Sequence, residues 1–288
     1  MSVFDAGRAQ RGAMEEATTA PGLVVTVLMP VRDGERHLPA AIESVLAQSF
    51  RDFEFLVVDD GSEDASRDIA RGYADSRIRL VENSTSMGVT RTLNRGLALA
   101  RGRYIARMDA DDLSAPDRLA RQVGFLASNP DCVVVASDAR KIDTNSAEIG
   151  VARTPSGCGP LRRALHRGNC ITHGSVMMRA DALREIGGYD EAMDRAEDYD
   201  LWLRLSERHA IDSIPELLYA WRDHSDGVSV RYREEQAAAA ARARDASLRR
   251  RVFHALAGES RRSGGAVADL RDILLEEDDF RLATAPAG

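Results

Sequence analysis

Residues 103–112 read RYIARMDADD, an apolar strand running out into four residues that carry three carboxylates. Tyr104, Ile105, Ala106 and Met108 suit a buried strand. Side chains two apart on an extended chain face the same way, which lets Asp109 and Asp111 converge. Two convergent carboxylates suit a hard cation, because Mg²⁺ and Mn²⁺ take oxygen ligands and keep positions open for water and substrate phosphates. A metal so held would grip a diphosphate. The motif alone is equally compatible with Asp111 and Asp112 capping the helix that Pro116 helps to start.

Upstream of this stretch, strands and helices alternate. Leu23 to Met29 is a β-branched-rich run ended by Pro30, and Leu38 to Gln48 has helical spacing. Phe53 to Val58 repeats the strand, stops at Asp59-Asp60-Gly61-Ser62 and leads into a helix over Asp64–Tyr73. A strand at Ile78–Val81 and a helix at Gly88–Ala100 follow. Such alternation predicts a mostly parallel sheet flanked by helices, with ligands at the carboxyl ends of the strands. Downstream, Asp117–Ser128 reads as a helix and Cys132–Ser137 as a buried strand. The rhythm then breaks. Residues 138–172 read as polar excursions with a short helix at Leu161–Arg167, before a strand at Ser175–Arg179, helices at Asp181–Ile186 and Glu197–Arg208, and a strand at Leu217–Trp221. A long Ala- and Arg-rich helix spans roughly Arg231–Leu256, and a weak one lies near Val267–Leu275.

With 44% hydrophobic residues in 288, the chain has ample material for a core. Its net charge of −7, without a basic, aromatic-laced segment, argues against nucleic acid as a partner. Cys132, Cys158 and Cys170 lack a paired spacing, against a disulfide framework or zinc site and in favour of a reducing cytoplasm. No stretch has the length and apolarity to span a bilayer, and residues 1–21 read as a mobile arm.

Several polar residues fall at strand ends or helix starts. Asp59 and Asp60 can accept hydrogen bonds from a base or ribose, with Pro30, Val31 and Glu35 nearby, although an ordinary acidic turn looks the same. Glu197-Asp198 opens a helix whose positive end stabilises an ionised carboxylate, as a general base requires and as simple helix stabilisation also explains. His224 can ligate Mn²⁺, and Arg222 beside it can hold a phosphate bidentately. His173 precedes a strand, where it can orient an acceptor or cap backbone. Trp202 can stack on a sugar or fill core.

Taken in order, VTVLMPVRDGE, LAQSFRDFEFLVVDDGSED, GVTRTLNRGLALARGRYIARMDADDLSAPDRLARQ, AEDYDLWLRL and YAWRDHSDGVS closely resemble the inverting family 2 glycosyltransferases of the GT-A fold, over residues 23–230. The resemblance implies a GT-A, Rossmann-like α/β domain at 22–230, with a nucleotide-binding half at 22–137 and an acceptor-binding half at 138–230. A helical C-terminal extension would occupy 231–288. It further implies sugar transfer from a nucleoside diphosphate donor, most often UDP-linked, assisted by Mn²⁺ or Mg²⁺. The acceptor would be a saccharide or lipid-linked hydroxyl of surface polysaccharide or glycolipid synthesis, and the enzyme cytoplasmic with possible peripheral contact at the inner membrane face. Carried over by motif, Asp60 contacts the base in a pocket lined by Pro30, Val31 and Glu35. Asp109 and Asp111 form the DxD motif, Asp198 is the catalytic base, and His224 lies beside metal and diphosphate, with Arg222 or Arg91 on the phosphates. Where the family often has Tyr-Asn, this chain has Arg32-Asp33. A signalling receiver domain also pairs acidic residues with a later aspartate, but it needs a strand-end lysine, and Lys141 has no such setting. A donor-binding protein without catalysis is the other alternative.

Overall fold

The structure, a computed structural model, describes residues 23–223 and 233–257. The expected arm at 1–21, His224 and the weak helix near Val267–Leu275 lie outside the described residues.

The first half follows the predicted alternation as β1 (Val25–Val31), α1 (Leu38–Leu46), β2 (Phe53–Asp59), α2 (Ser66–Gly72), β3 (Ile78–Glu82), α3 (Val89–Leu99) and β4 (Tyr104–Arg107). These strands pair in parallel in the order β3-β2-β1-β4. Alternation along each strand feeds two cores. Val25, Val27 and Met29 meet Leu38, Ile42 and Val45 of α1, while Leu28, Leu56 and Val58 share the opposite layer with Leu93 of α3. Both faces are covered, which is why the strands read as nearly continuous apolar runs. β1 extends past the expected stop through Pro30, which lies beyond the last residue paired with β4.

The second half is β5 (Leu113–Ser114), α4 (Arg118–Ser128), β6 (Cys132–Ile142), β7 (Glu148–Ala152), α5 (Cys158–Arg167), a 3-10 turn (His173–Ser175), β8 (Met177–Arg179), α6 (Ala180–Glu185), a second 3-10 turn (Glu191–Met193), α7 (Glu197–Arg208), β9 (Ala210–Arg222) and α8 (Arg233–Ala257). The sheet continues as β4-β8-β6-β9-β5, with β7 on β6. β6 and β9 are parallel, and β8, β7 and β5 run antiparallel to their neighbours. The parallel half is thus joined to a mixed half.

Two expectations need correction here. Residues 138–152 are not an excursion: β6 runs on to Ile142 and returns as β7. Asp138 is buried within it, its carboxylate accepting from the Arg153 guanidinium at 2.7 Å and the Thr154 N–H at 3.0 Å. β9 likewise starts at Ala210 instead of Leu217, its alternation interrupted by Pro215 and by register shifts against β6.

α8 lies along α7 through buried Ala239, Ala243 and Ser247, and Glu207 accepts from the Ser247 hydroxyl and the Arg250 guanidinium. No described helix is long and apolar enough to cross a membrane.

Candidate functional site

At the carboxyl ends of β1 and β2, Val31 lies opposite Asp59 and its carbonyl accepts the Asp60 N–H at 2.8 Å. The Asp60 carboxylate accepts four hydrogen bonds. Asn83 Nδ2 and the Met87 N–H reach Oδ1, both at 2.7 Å, and the Ser86 hydroxyl and Gly88 N–H reach Oδ2 at 2.9 and 3.0 Å. Burial opposes its ionisation, yet these donors hold it below the ordinary carboxylate value. A carboxylate offers about four acceptor positions, so a base N–H meeting Asp60 must share one already in use. Asp60 anchors segment 83–88 and brings it to the edge where the base pocket was expected. Glu35 is exposed, and its carboxylate accepts the Ala65 N–H at 3.0 Å just ahead of α2, while its own N–H donates to Asp64. Its side chain fastens two edge loops.

The acidic stretch departs from its expected geometry. β4 stops at Arg107 and the chain turns through Ala110 and Asp111, so the extended spacing assumed for Asp109 and Asp111 is not adopted. β9 holds this turn in place. Leu113 and Ser114 of β5 pair with Ala220 and Tyr219, the Asp109 N–H donates to the Tyr219 hydroxyl at 3.1 Å, and Asp112 Oδ1 accepts the Arg222 N–H at 2.7 Å. Arg222 is the residue expected on the phosphates. It is buried, with Nε donating to the Asp111 carbonyl and Nη1 to the Asp143 carbonyl and the Ser146 hydroxyl. It braces the turn from behind. Arg91 pairs with Glu191 at 2.8 Å at the exposed rim.

Tyr219 reaches Asp109 only because residue 174 is glycine; a β-carbon there would collide with the Tyr219 hydroxyl. Gly174→Ala should therefore cost about 1–3 kcal/mol, as overpacking a filled interior does. Chemical denaturation should show the loss, and turnover should fall with it because Tyr219 supports Asp109.

Asp109 and Asp111 are half-buried, and Asp112 is buried. Burial, and then the charge of Asp111, push the Asp112 carboxyl up to about 7. Among the described residues no group of three or more His, Cys, Asp or Glu side chains is arranged to hold a metal. A pair of carboxylates backed by water and phosphate oxygens nevertheless fits a hard divalent cation.

Asp198 lies in the first turn of α7. Its Oδ2 accepts from Asn169 Nδ2 at 2.8 Å and its Oδ1 from the Tyr199 N–H at 2.6 Å. Burial raises its pKa above the ordinary carboxylate value against the pull of Asn169, and burial together with Asp198's charge pushes Glu197 up to about 7. Trp202 is fully buried and packs edge-on to His173, so it fills core. His173 Nε2 shares a hydrogen bond of 2.8 Å with the Tyr189 hydroxyl, and burial holds the imidazole far below its usual value and hence neutral. Asn94 of α3 makes a two-way link to Tyr189, accepting its N–H and donating to its carbonyl, both at 2.9 Å.

Arg107 is the member of the site that sequence reasoning passed over. It is 4% exposed, its Nη1 is ion-paired with Asp109, and its charge favours ionisation of both Glu197 and Asp198. The available signal was a charged residue within a four-residue strand that is otherwise apolar.

Comparison with known proteins bears on the family and the fold. A family model described as glycosyl transferase family 2 matches residues 26–187. The putative glycosyltransferase EpsE of Bacillus subtilis (strain 168) is 38% identical over 211 residues, covering 71% of this chain and 75% of that protein. The crystal structure of S. aureus TarS 1–349 in complex with UDP-GlcNAc superposes with a TM-score of 0.69 at 16% identity, over 91% of this chain and 73% of that one. The mannosyltransferase PcManGT of Pyrobaculum calidifontis, in complex with GDP-Man and Mn²⁺, superposes with a TM-score of 0.59 at 20% identity, over 96% of this chain and 79% of that one. Both likenesses are of fold.

Proposed function

This chain belongs to glycosyl transferase family 2 and is a glycosyltransferase with a GT-A fold, and from that premise we propose that it transfers a sugar from a nucleoside diphosphate, UDP foremost, to an acceptor hydroxyl in one inverting displacement with Asp198 as base. The observation that carries the proposal is the placement of two carboxylate groups, Asp109–Asp111 after β4 and Glu197–Asp198 at the start of α7, within the electrostatic reach of one buried guanidinium, Arg107. The family match leaves no room for the receiver-domain reading.

In this proposal Val31, Asp60 and the 83–88 loop frame the nucleobase, with residues 22–137 serving the donor and 138–230 the acceptor. Asn169 and the Tyr199 N–H aim the Asp198 carboxylate. It takes the acceptor proton as the hydroxyl oxygen attacks the anomeric carbon from the face opposite the diphosphate, and the bond to the diphosphate breaks. No enzyme nucleophile is needed. A divalent cation bound by Asp109 and Asp111 would supply positive charge to the departing diphosphate. A surface saccharide or lipid-linked acceptor is the natural client, as the motif resemblance implies.

A thermal-shift screen of nucleotide sugars with and without Mn²⁺ tests the donor assignment, since a bound donor raises apparent stability with occupancy. We expect a rise with a UDP-sugar that needs the metal. No rise with any nucleotide sugar would remove the proposal.

The acid limb of the pH profile follows from Asp198. The base works ionised and its folded value is raised, so turnover should fall on acidification from a pH above the ordinary 3.8 of an aspartate. The limb is read from kcat against pH.

A further inference from the structure

The Arg107 side chain is charged, buried and only partly used. Its carbonyl is occupied by Arg118 Nη2 at 2.8 Å and its N–H by the Val176 carbonyl at 3.1 Å, so strand and neighbours fix where the side chain starts. Of the guanidinium, Nη1 pairs with Asp109, and Nε is buried without a hydrogen-bond partner among the described residues. On the α7 side, Glu197 Oε2 is likewise buried and unpartnered among the described residues. A buried cationic donor and a buried carboxylate oxygen, each short of a partner, carry a desolvation penalty that a mutual contact would relieve. The groups around this guanidinium are Asp109 and Asp112 of the acidic turn, Glu197 and Asp198 of α7, His173 and Tyr189 of the intervening loops, Tyr219 of β9 and Arg118 of α4. Arg118 spends its guanidinium on the Arg107 and Val176 carbonyls, on Gln122 and over the Tyr219 ring. Among the described residues, that leaves Arg107 as the cation shared between the two acidic groups.

We propose that Arg107 is a positioning residue that stands in for the divalent cation at Asp109 and, when the cation takes that carboxylate, turns its guanidinium to Glu197 and Asp198. The inference rests on the metal-assisted reading above. It makes metal entry on the donor side and readiness of the base one linked event, because the charge of Arg107 reaches both acidic groups but its guanidinium cannot be turned fully to both at once. Asp109 is kept from repelling Asp111 and Asp112 before the metal arrives, and the charge released from it is passed across the site.

A cation competing for Asp109 weakens metal binding. Removing a full charge at ion-pair distance should therefore tighten Mn²⁺ binding to the protein–UDP complex by at least about 10-fold in Arg107→Gln, while Arg107→Lys stays near wild type. Electron paramagnetic resonance of free Mn²⁺ gives these affinities without any turnover. Equal affinity for Mn²⁺ in wild type and Arg107→Gln would overturn the stand-in role and leave the metal reading intact; no Mn²⁺ bound by any form would remove both. Because Arg107→Gln can fail to fold, crystals of the unmutated protein with Mn²⁺ and UDP provide a second test. The expected result is an Arg107–Asp109 separation beyond 4 Å with the guanidinium against Glu197 or Asp198, and an unbroken Arg107–Asp109 pair beside a bound ion would overturn the proposal.

Discussion

Asp198→Asn will lower turnover by a factor of about 10² to 10⁴ while leaving donor binding and the thermal midpoint close to wild type. The substitution is isosteric. An asparagine keeps an oxygen to accept the Tyr199 N–H, so the first turn of α7 has no reason to move. What it removes is a basic oxygen for the acceptor proton. The Asn169 amide, which donates to the other carboxylate oxygen, would face an NH₂ or force a flip; this perturbs the base locally without touching the nucleotide edge near Asp60. Stopped assays of nucleoside diphosphate release together with UDP titration separate the two effects. Wild-type turnover in the variant would remove Asp198 from the role, and a matching loss of UDP affinity would make it a binding residue.

Asp111→Asn should lower turnover by about 10² or more by weakening the grip on a divalent cation, whose charge stabilisation is commonly worth several kcal/mol. The fold should tolerate the change, because Arg222 Nε donates to the Asp111 backbone carbonyl, which the substitution keeps. The amide also relieves Asp112 of a neighbouring negative charge, which would make the apo protein no less stable. The diagnostic is the added thermal stabilisation by UDP when Mn²⁺ is supplied. It should shrink sharply in the variant, and a variant that keeps it would return Asp111 to a purely local role.

Much of the first half is readable from residues 23–107, because a strand buried on both faces writes its apolar character into consecutive positions and each helix announces its period. The second half hides itself for physical reasons. β6 goes on through Asp138, Arg140 and Lys141, whose charges mimic a loop while Arg153 and the Thr154 backbone satisfy the buried carboxylate. β9 contains Pro215 and slips register against β6, so only its final apolar run reads as a strand. Pairing direction across β8 and β5 depends on tertiary neighbours and leaves no local trace. Within the site, Asp109, Asp111 and Asp198 stood out by residue type and position. The protein partners of Arg222, Glu35 and Asp60, which fasten the turn and the edge loops, became visible only in the fold. Arg107 passed as an ordinary strand residue because nothing in linear order reveals two acidic groups converging on it.

The paired hydrogen bonds between Asn94 and Tyr189 bear on how such enzymes could be recombined. They join α3, in the first half of the chain, to the loop that leads into α7, and Gly188, at φ 72°, is packed so closely that a β-carbon would sit 2.8 Å from Asn94 Oδ1. A hybrid made by grafting a foreign segment after residue 137 would import a new residue 189 against an old residue 94. Exchanging that segment between relatives by cutting there would thus require the two positions to travel as a matched set.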